Sequence, residues 1–162
     1  MSQEINIFVS YCHTNDEDQK FLDDLLMFIK PAINNLSNAK LWVDKHIKTG
    51  QDLRPTIEEA LTEMNLMICM VSPEYLNSDY CINKELQDAL EKRKIGTANI
   101  FPIILRKCPW KYTFFGQVLC QPKDGKPLKD WDDRDEVFSD ITDELMDVIY
   151  HIRSNAMDEK KK

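Results

Sequence analysis

Glycine is scarce in this 162-residue sequence, which has only four: Gly50, Gly96, Gly116 and Gly125. None belongs to a GxGxxG or GxxxxGK[ST] motif, the glycine-rich loops whose backbone N–H groups hold phosphates. A GxSxG nucleophile elbow is also missing. These absences exclude phosphate binding in the Rossmann or P-loop manner and give no support to an α/β serine hydrolase.

Cysteine and histidine are present, but without the spacings that bind metals. The sequence has no CxxC pair and no HExxH motif, and its three histidines are scattered. An odd number of cysteines does not suit a disulfide framework, so we expect reduced thiols of the kind found in the cytoplasm. The five are Cys12, Cys69, Cys81, Cys108 and Cys120. The sequence predicts no bound metal.

Positive charge is in deficit, with 21 Lys and Arg against 28 Asp and Glu and a net charge of −7. A general nucleic-acid or acidic-membrane binder would need a basic surface. No apolar run approaches the roughly 18–20 residues that cross a bilayer, and the amino terminus lacks the basic and apolar regions of a signal peptide. With 43% hydrophobic residues, the chain is predicted to be one cytoplasmic domain without nucleic-acid or membrane partners.

Apolar strand-like segments alternate with amphipathic helical ones along the chain. The predicted strands are 5–11, 41–43, 66–71 and 99–105, with 117–120 as a candidate fifth strand. The predicted helices run from Asn15 or Asp16 to a bend or end at Pro31, from Pro55 to Met64, from the 77–79 turn to about Arg93, and over 135–152. This alternation predicts an α/β fold of the flavodoxin type, a parallel sheet of about five strands in the order 2-1-3-4-5 with helices on both faces.

The stretch from Leu66 to Leu86 supplies the leading candidate for a functional residue. An unbroken apolar run ends at Ser72-Pro73, and the polar turn 77–79 can cap a helix that carries Glu85 about one turn in. Open α/β sheets bind ligands where their parallel strands end. Glu85 is therefore placed at the edge where chemistry is expected, although a solvated helix glutamate paired with Lys84 or near Arg93 is the alternative.

Five segments together resemble the TIR (Toll/interleukin-1 receptor) domains, and especially those of bacteria. They are Ile7-Phe8-Val9-Ser10-Tyr11; Leu41-Trp42-Val43-Asp44 with the loop to Gly50; Ser72-Pro73-Glu74-Tyr75-Leu76 continuing through 78–86; Phe101–Arg106 with Cys108-Pro109-Trp110; and Pro122–Leu128. Each segment is weak alone, but five in the right order over roughly residues 4–152 are specific. The resemblance implies a TIR domain over 1–153 and a charged tail, 154–162, that begins a linker to a sensor or oligomerising domain.

The resemblance further implies an enzyme that cleaves the nicotinamide–ribose bond of NAD⁺ with Glu85 as its one catalytic glutamate. Nicotinamide in NAD⁺ is already a cationic leaving group, so one carboxylate can suffice where most glycosidases need two. Glu85 would hold the ribose and stabilise the oxocarbenium-like charge. NAD⁺ is then the substrate, no cofactor is required, and the products are nicotinamide with ADP-ribose or a cyclic ADP-ribose isomer.

By the same resemblance, the substrate cleft would be lined by Ser10 and Tyr11 at the end of the first strand, by Asp44 at the end of the second, and by Cys81. Cys81 stands where the family often has tryptophan, four residues before the glutamate, so Tyr80 or Trp110 would have to provide an aromatic wall. Ordinary packing is the alternative for Tyr11 and Trp110.

The loop 45–54, which corresponds to the BB loop of the family, is locally basic and includes Arg54, a candidate for binding the pyrophosphate. A solvated loop is the alternative. The resemblance implies self-association through this loop, a fused or partnered sensor, and a role in bacterial antiphage immunity. A non-catalytic TIR–TIR adaptor module is the competing interpretation, and cyclic-nucleotide synthesis directed by nucleic acid is a third that the acidic charge disfavours.

Overall fold

A computed structural model of the chain describes residues 3–43 and 53–160, with the backbone alone described for 53–55 and 157–160. Its sheet has four parallel strands in the order β2-β1-β3-β4. The strands are β1 (Ile5–Ser10), β2 (Ala39–Trp42), β3 (Leu66–Val71) and β4 (Asn99–Ile104). The helices are α1 (Asp16–Asn34), α2 (Leu53–Glu63), α3 (Pro73–Leu76), α4 (Leu86–Lys94) and α5 (Arg134–Lys160). The predicted α/β class and the strand order 2-1-3-4 are confirmed.

Helices cover both faces of the sheet, because successive strand residues point to opposite sides. Ile7 and Ile68 face one core with α1 and α5, whereas Phe8 and Met67 face a second core with α2, α3 and α4. All six residues of β3 are buried, as the unbroken apolar run predicts for a central parallel strand.

The predicted fifth strand, 117–120, is wrong. The segment after β4 folds into short 3₁₀ turns, and an isolated bridge between Gln121 and Ile103 is the one strand pairing that the structure shows for it. Pro122 follows directly and has no N–H with which to extend a ladder. β4 therefore forms the edge of the sheet, which suits the proline that it contains at position 102.

Several elements have bounds that differ from the predicted ones, among them α1, α5 and β2. α1 begins after the Asn15 cap as expected but continues through Pro31 to Asn34, because Ile33 is buried in the core and holds the last turn. α5 continues to Lys160 rather than ending near Ile152. β2 begins at Ala39, two residues early.

Candidate active site

Glu85 lies at the end of a π-helical turn, Cys81–Glu85, that leads directly into α4. Ser78 begins this turn by accepting a hydrogen bond from the backbone N–H of Cys81 at 3.2 Å. Turns of this kind are rare and frequent at functional sites, because they re-aim side chains within an otherwise regular helix. The Glu85 side chain is consequently directed inward, and the residue is only 3% exposed.

The Glu85 carboxylate is held by a hydroxyl from the central part of the sheet. Ser10, the last residue of β1, donates from Oγ to Oε1 of Glu85 at 2.7 Å, and Ser10 itself is fully buried. A buried carboxylate would be costly without such a bond. The alternative of a solvated glutamate is therefore wrong, and Lys84 instead pairs with Asp88 at 3.2 Å.

A cleft of about 410 Å³ opens beside Cys81, one helical turn before Glu85. Its walls come from the segment after β1, from α3 and from the start of the π-helical turn: Cys12, His13, Thr14, Glu74, Asn77, Ser78, Tyr80 and Cys81. The thiol of Cys81 also donates to the backbone carbonyl of Tyr11 at 3.4 Å. This contact fixes the turn against the end of β1. Glu85 does not itself line the cleft.

Comparison with known proteins now identifies the family. The sequence model of the TIR domain family matches residues 7–146, which is most of the chain. The chain belongs to the TIR domain family.

A bacterial relative and a solved animal structure agree with this assignment. The chain is 32% identical over 136 residues to the uncharacterized protein y4lF of Sinorhizobium fredii (strain NBRC 101917 / NGR234), covering 84% of this chain and 41% of that protein. This TIR domain thus spans less than half the length of its relative. The crystal structure of the TIR domain of the Toll-related receptor TRR-2 from Hydra magnipapillata has a TM-score of 0.55 at 23% identity and covers 92% of this chain and 98% of that one. That second match shows the shared fold.

The TIR domain brings Ser10 and Cys81 close to Glu85, whereas Tyr11 and Trp110 do not line the cleft. Tyr11 is 3% exposed, packs in the core beneath α1 and α5, and stacks on His13 at 4.2 Å between ring centroids. Trp110 packs in the segment after β4, against Gly125. Of the two residues considered for an aromatic wall, only Tyr80 lines the cleft.

Two predicted substrate contacts and most of one predicted interface lie outside the described residues. Asp44 and the loop residues 45–52 are not described, and for Arg54 only the backbone is. In the described ranges no helix is long and apolar enough to span a membrane, and no group of three metal-ligating side chains occurs.

A second buried polar cluster at the same edge of the TIR domain was not predicted from the sequence. Asp18 of α1 is fully buried, accepts from the Ser72 hydroxyl, and accepts from Nε of Arg106 at 3.2 Å. Arg106 also pairs with Glu74 of α3. Burial raises the pKa of Asp18, while the bonds from Ser72 and Arg106 oppose that rise. The sequence held only two local signals of this cluster. Ser72 can cap a helix that begins at Pro73, and Arg106 directly follows a predicted strand.

Burial also raises the pKa values of three thiols, to about 12 for Cys69 and Cys81 and about 11 for Cys120. In the unfolded chain these thiols ionise near their ordinary pKa, which is lower than the native one. The native state therefore binds the thiol protons more tightly than the unfolded state does. The free energy of unfolding should therefore fall as the pH rises between about 9 and 11, by about 1.4 kcal/mol per thiol for each pH unit.

Urea unfolding of the TIR domain across this range, beside the triple Cys→Ala variant at these positions, measures the thiol contribution. We expect the wild-type free energy of unfolding to fall more steeply with pH than that of the variant. Parallel pH dependences would show that these thiols ionise in the native protein as readily as in the unfolded one.

Proposed function

We propose that this TIR domain is an NAD⁺ nucleosidase that cleaves the nicotinamide–ribose bond, with Glu85 as its single catalytic carboxylate. The observation that carries the proposal is the placement of Glu85. It is a buried glutamate at the ligand-binding edge of a parallel sheet, oriented by Ser10 at 2.7 Å and one turn from a residue that lines an open cleft. A glutamate that served only solubility would lie on the surface.

The chemistry requires little more than one well-placed negative charge. As the bond to nicotinamide breaks, positive charge develops on the ribose, and the departing nicotinamide becomes neutral without a proton from an acid. A preorganised carboxylate in a water-poor site stabilises this developing charge strongly. Water or an atom of the adenosine moiety then completes the reaction, giving ADP-ribose or a cyclic isomer.

The cleft beside Cys81 is the proposed entry for the nicotinamide riboside half of NAD⁺. Its volume of about 410 Å³ lies within the usual range for small-molecule sites. His13 and Tyr80 line it, and their rings can contact a flat base in place of the tryptophan that other family members have at the position of Cys81. Asp44 and Arg54 are proposed to complete the site at the ribose and the pyrophosphate.

Activity is proposed to depend on self-association through residues 45–54. Glu85 is only 3% exposed, so a substrate reaches its carboxylate only after neighbouring side chains move. Contact between domains can provide the energy for that movement. The bacterial relative is more than twice as long as its matched region, which leaves room for the sensor expected of an antiphage effector.

The proposal is tested by incubating the purified domain with NAD⁺, free in solution and clustered on beads at the same total amount. We expect nicotinamide release from the clustered protein at a specific activity at least tenfold above that of dilute protein. Chromatographic separation of the second product distinguishes hydrolysis from cyclisation. NAD⁺ that stays intact over hours with clustered protein would contradict the proposal.

A non-catalytic adaptor is the second candidate, and exposed apolar side chains favour it. Tyr112 and Leu119, on the segment after β4, are 91% and 94% exposed. Exposed apolar side chains of this kind on one segment can contribute to a surface that contacts another protein. An adaptor would self-associate on the beads without consuming NAD⁺, so the same experiment separates the two functions.

A further inference from the structure

A chain of buried hydrogen bonds runs from α3 through the sheet to the Glu85 carboxylate. Ser10 Oγ lies 2.7 Å from Oε1 of Glu85 and 2.9 Å from the hydroxyl oxygen of Tyr75. A serine hydroxyl has a single proton, and the bond to the carboxylate uses it. The Tyr75 hydroxyl, which also contacts the buried Cys69 thiol, is then the donor in its bond with Ser10, so both protons in the chain point toward Glu85.

The Tyr75 hydroxyl stays protonated because its surroundings exclude water. Tyr75 is fully buried, and burial raises its pKa well above the ordinary value of 10.0. Its ring packs against Phe115 with centroids 6.3 Å apart. The phenol is thus a permanent donor over the whole range of pH in which an enzyme of this kind would work.

Hydrogen bonds also fix the backbone of Tyr75. α3 is a single turn, and Ser72 caps it by accepting from the backbone N–H of Tyr75 at 3.1 Å. The same Ser72 hydroxyl donates to Asp18, which in turn binds Arg106. A polar network from α1 and the end of β4 therefore fixes the position from which Tyr75 reaches Ser10.

We propose that Tyr75 is a positioning residue for Glu85: its hydroxyl directs the Ser10 proton onto the carboxylate and so fixes the orientation of the proposed catalytic group. Hydrogen bonds that point the same way polarise one another in a low-dielectric interior, which strengthens the last bond of the chain. The proposal rests on the proposed function of Glu85. Tyr75 does not line the cleft, so it acts through Ser10 and Glu85 and not by contacting the substrate.

The test is the Tyr75→Phe variant, which removes the hydroxyl and keeps the ring. We expect kcat for NAD⁺ cleavage to fall by about tenfold while KM changes less than twofold, since one positioning bond to a charged group is lost. The matched control is Tyr150→Phe, at a tyrosine of α5 that is 55% exposed, which should leave kcat unchanged. Unchanged kcat in folded Tyr75→Phe would overturn the proposal.

A double-mutant cycle separates positioning from a general loss of packing. Ser10→Ala removes the link between Tyr75 and Glu85, so adding Tyr75→Phe to it should lower kcat no further. Additive losses in the double variant would mean that Tyr75 acts by another route, and the proposal would fail.

A spectroscopic measurement tests the proton direction even if the wild-type protein proves inactive. The intensity ratio of the tyrosine Fermi doublet in the Raman spectrum reports whether a phenol donates or accepts, and the difference between wild type and Tyr75→Phe isolates this residue. We expect a donor signature that changes in Ser10→Ala. An acceptor signature would overturn the inference, whereas an absence of nicotinamide release with a donor signature would overturn only the proposed function.

Discussion

Replacing Glu85 with glutamine should lower the rate of nicotinamide release by at least about 100-fold, and on the order of 1,000-fold if the carboxylate is the only catalytic charge. Glutamine keeps the size of the side chain and can still accept a hydrogen bond from Ser10, which lies 2.7 Å from the carboxylate oxygen. The variant loses only the negative charge that would stabilise the ribose cation. The measurement is kcat and KM for NAD⁺ with clustered protein.

The matched control for this substitution is Glu91→Gln, at an exposed glutamate of α4, the helix that directly follows Glu85. It removes one negative charge without touching the cleft and should leave kcat unchanged. Thermal unfolding of Glu85→Gln establishes that the variant is folded. A folded Glu85→Gln variant as active as wild type would show that another group performs the cleavage.

Replacing Arg106 with methionine should cost about 3 kcal/mol of unfolding free energy at neutral pH. Arg106 is the cation that faces the fully buried Asp18, through Nε at 3.2 Å, and it also pairs with Glu74. Removing one partner of a buried ion pair leaves an uncompensated charge, a loss of about 3–5 kcal/mol. The lower figure applies because the Arg106 side chain remains 16% exposed. Urea unfolding at equilibrium measures the difference.

The pH dependence of this loss identifies Asp18 as its source. The native pKa of Asp18 is raised above its ordinary value, so protonation relieves the cost of its buried charge. The deficit of Arg106→Met should therefore be largest at neutral pH and shrink as the pH falls through the raised pKa. Adding Asp18→Asn should restore part of the stability. Lys107→Met, at an 85% exposed neighbour, is the matched control and should have little effect. A loss of unfolding free energy that stays constant with pH would show that Asp18 is not its source.

The central strand and the position of Glu85 were predictable because their signals are local. β3 spans Leu66–Val71 as predicted, since a six-residue apolar run is bounded by a proline that cannot continue the ladder. The end of a parallel strand then determines which edge of the sheet the next helix begins from. Glu85 follows from that spacing alone.

The environment of Glu85 was not predictable, because its contacts join distant parts of the chain. Ser10 and Tyr75 are 65 positions apart, and Asp18 and Arg106 are 88 apart. Such pairs leave no periodic pattern in a single sequence. The π-helical turn was not predictable either, since its residues also fit an ordinary helix.

The misplaced fifth strand shows where local propensity fails. Residues 117–120 include Val118 and Leu119, which favour a strand, yet Leu119 is 94% exposed. The segment pairs with β4 only at Gln121, just before a proline. Strand propensity without a partner ladder did not produce a strand, as expected for a preference that depends on packing.

The most direct test of the central claim is a proton NMR time course of NAD⁺ with clustered wild-type protein and clustered Glu85→Gln in parallel. The nicotinamide ring protons and the proton on the ribose carbon both shift when the bond between them breaks. Our proposal predicts free nicotinamide and a matching loss of NAD⁺ with wild type, and none with Glu85→Gln. Intact NAD⁺ in both samples would contradict the proposal, and nicotinamide at equal rates in both would contradict the role of Glu85.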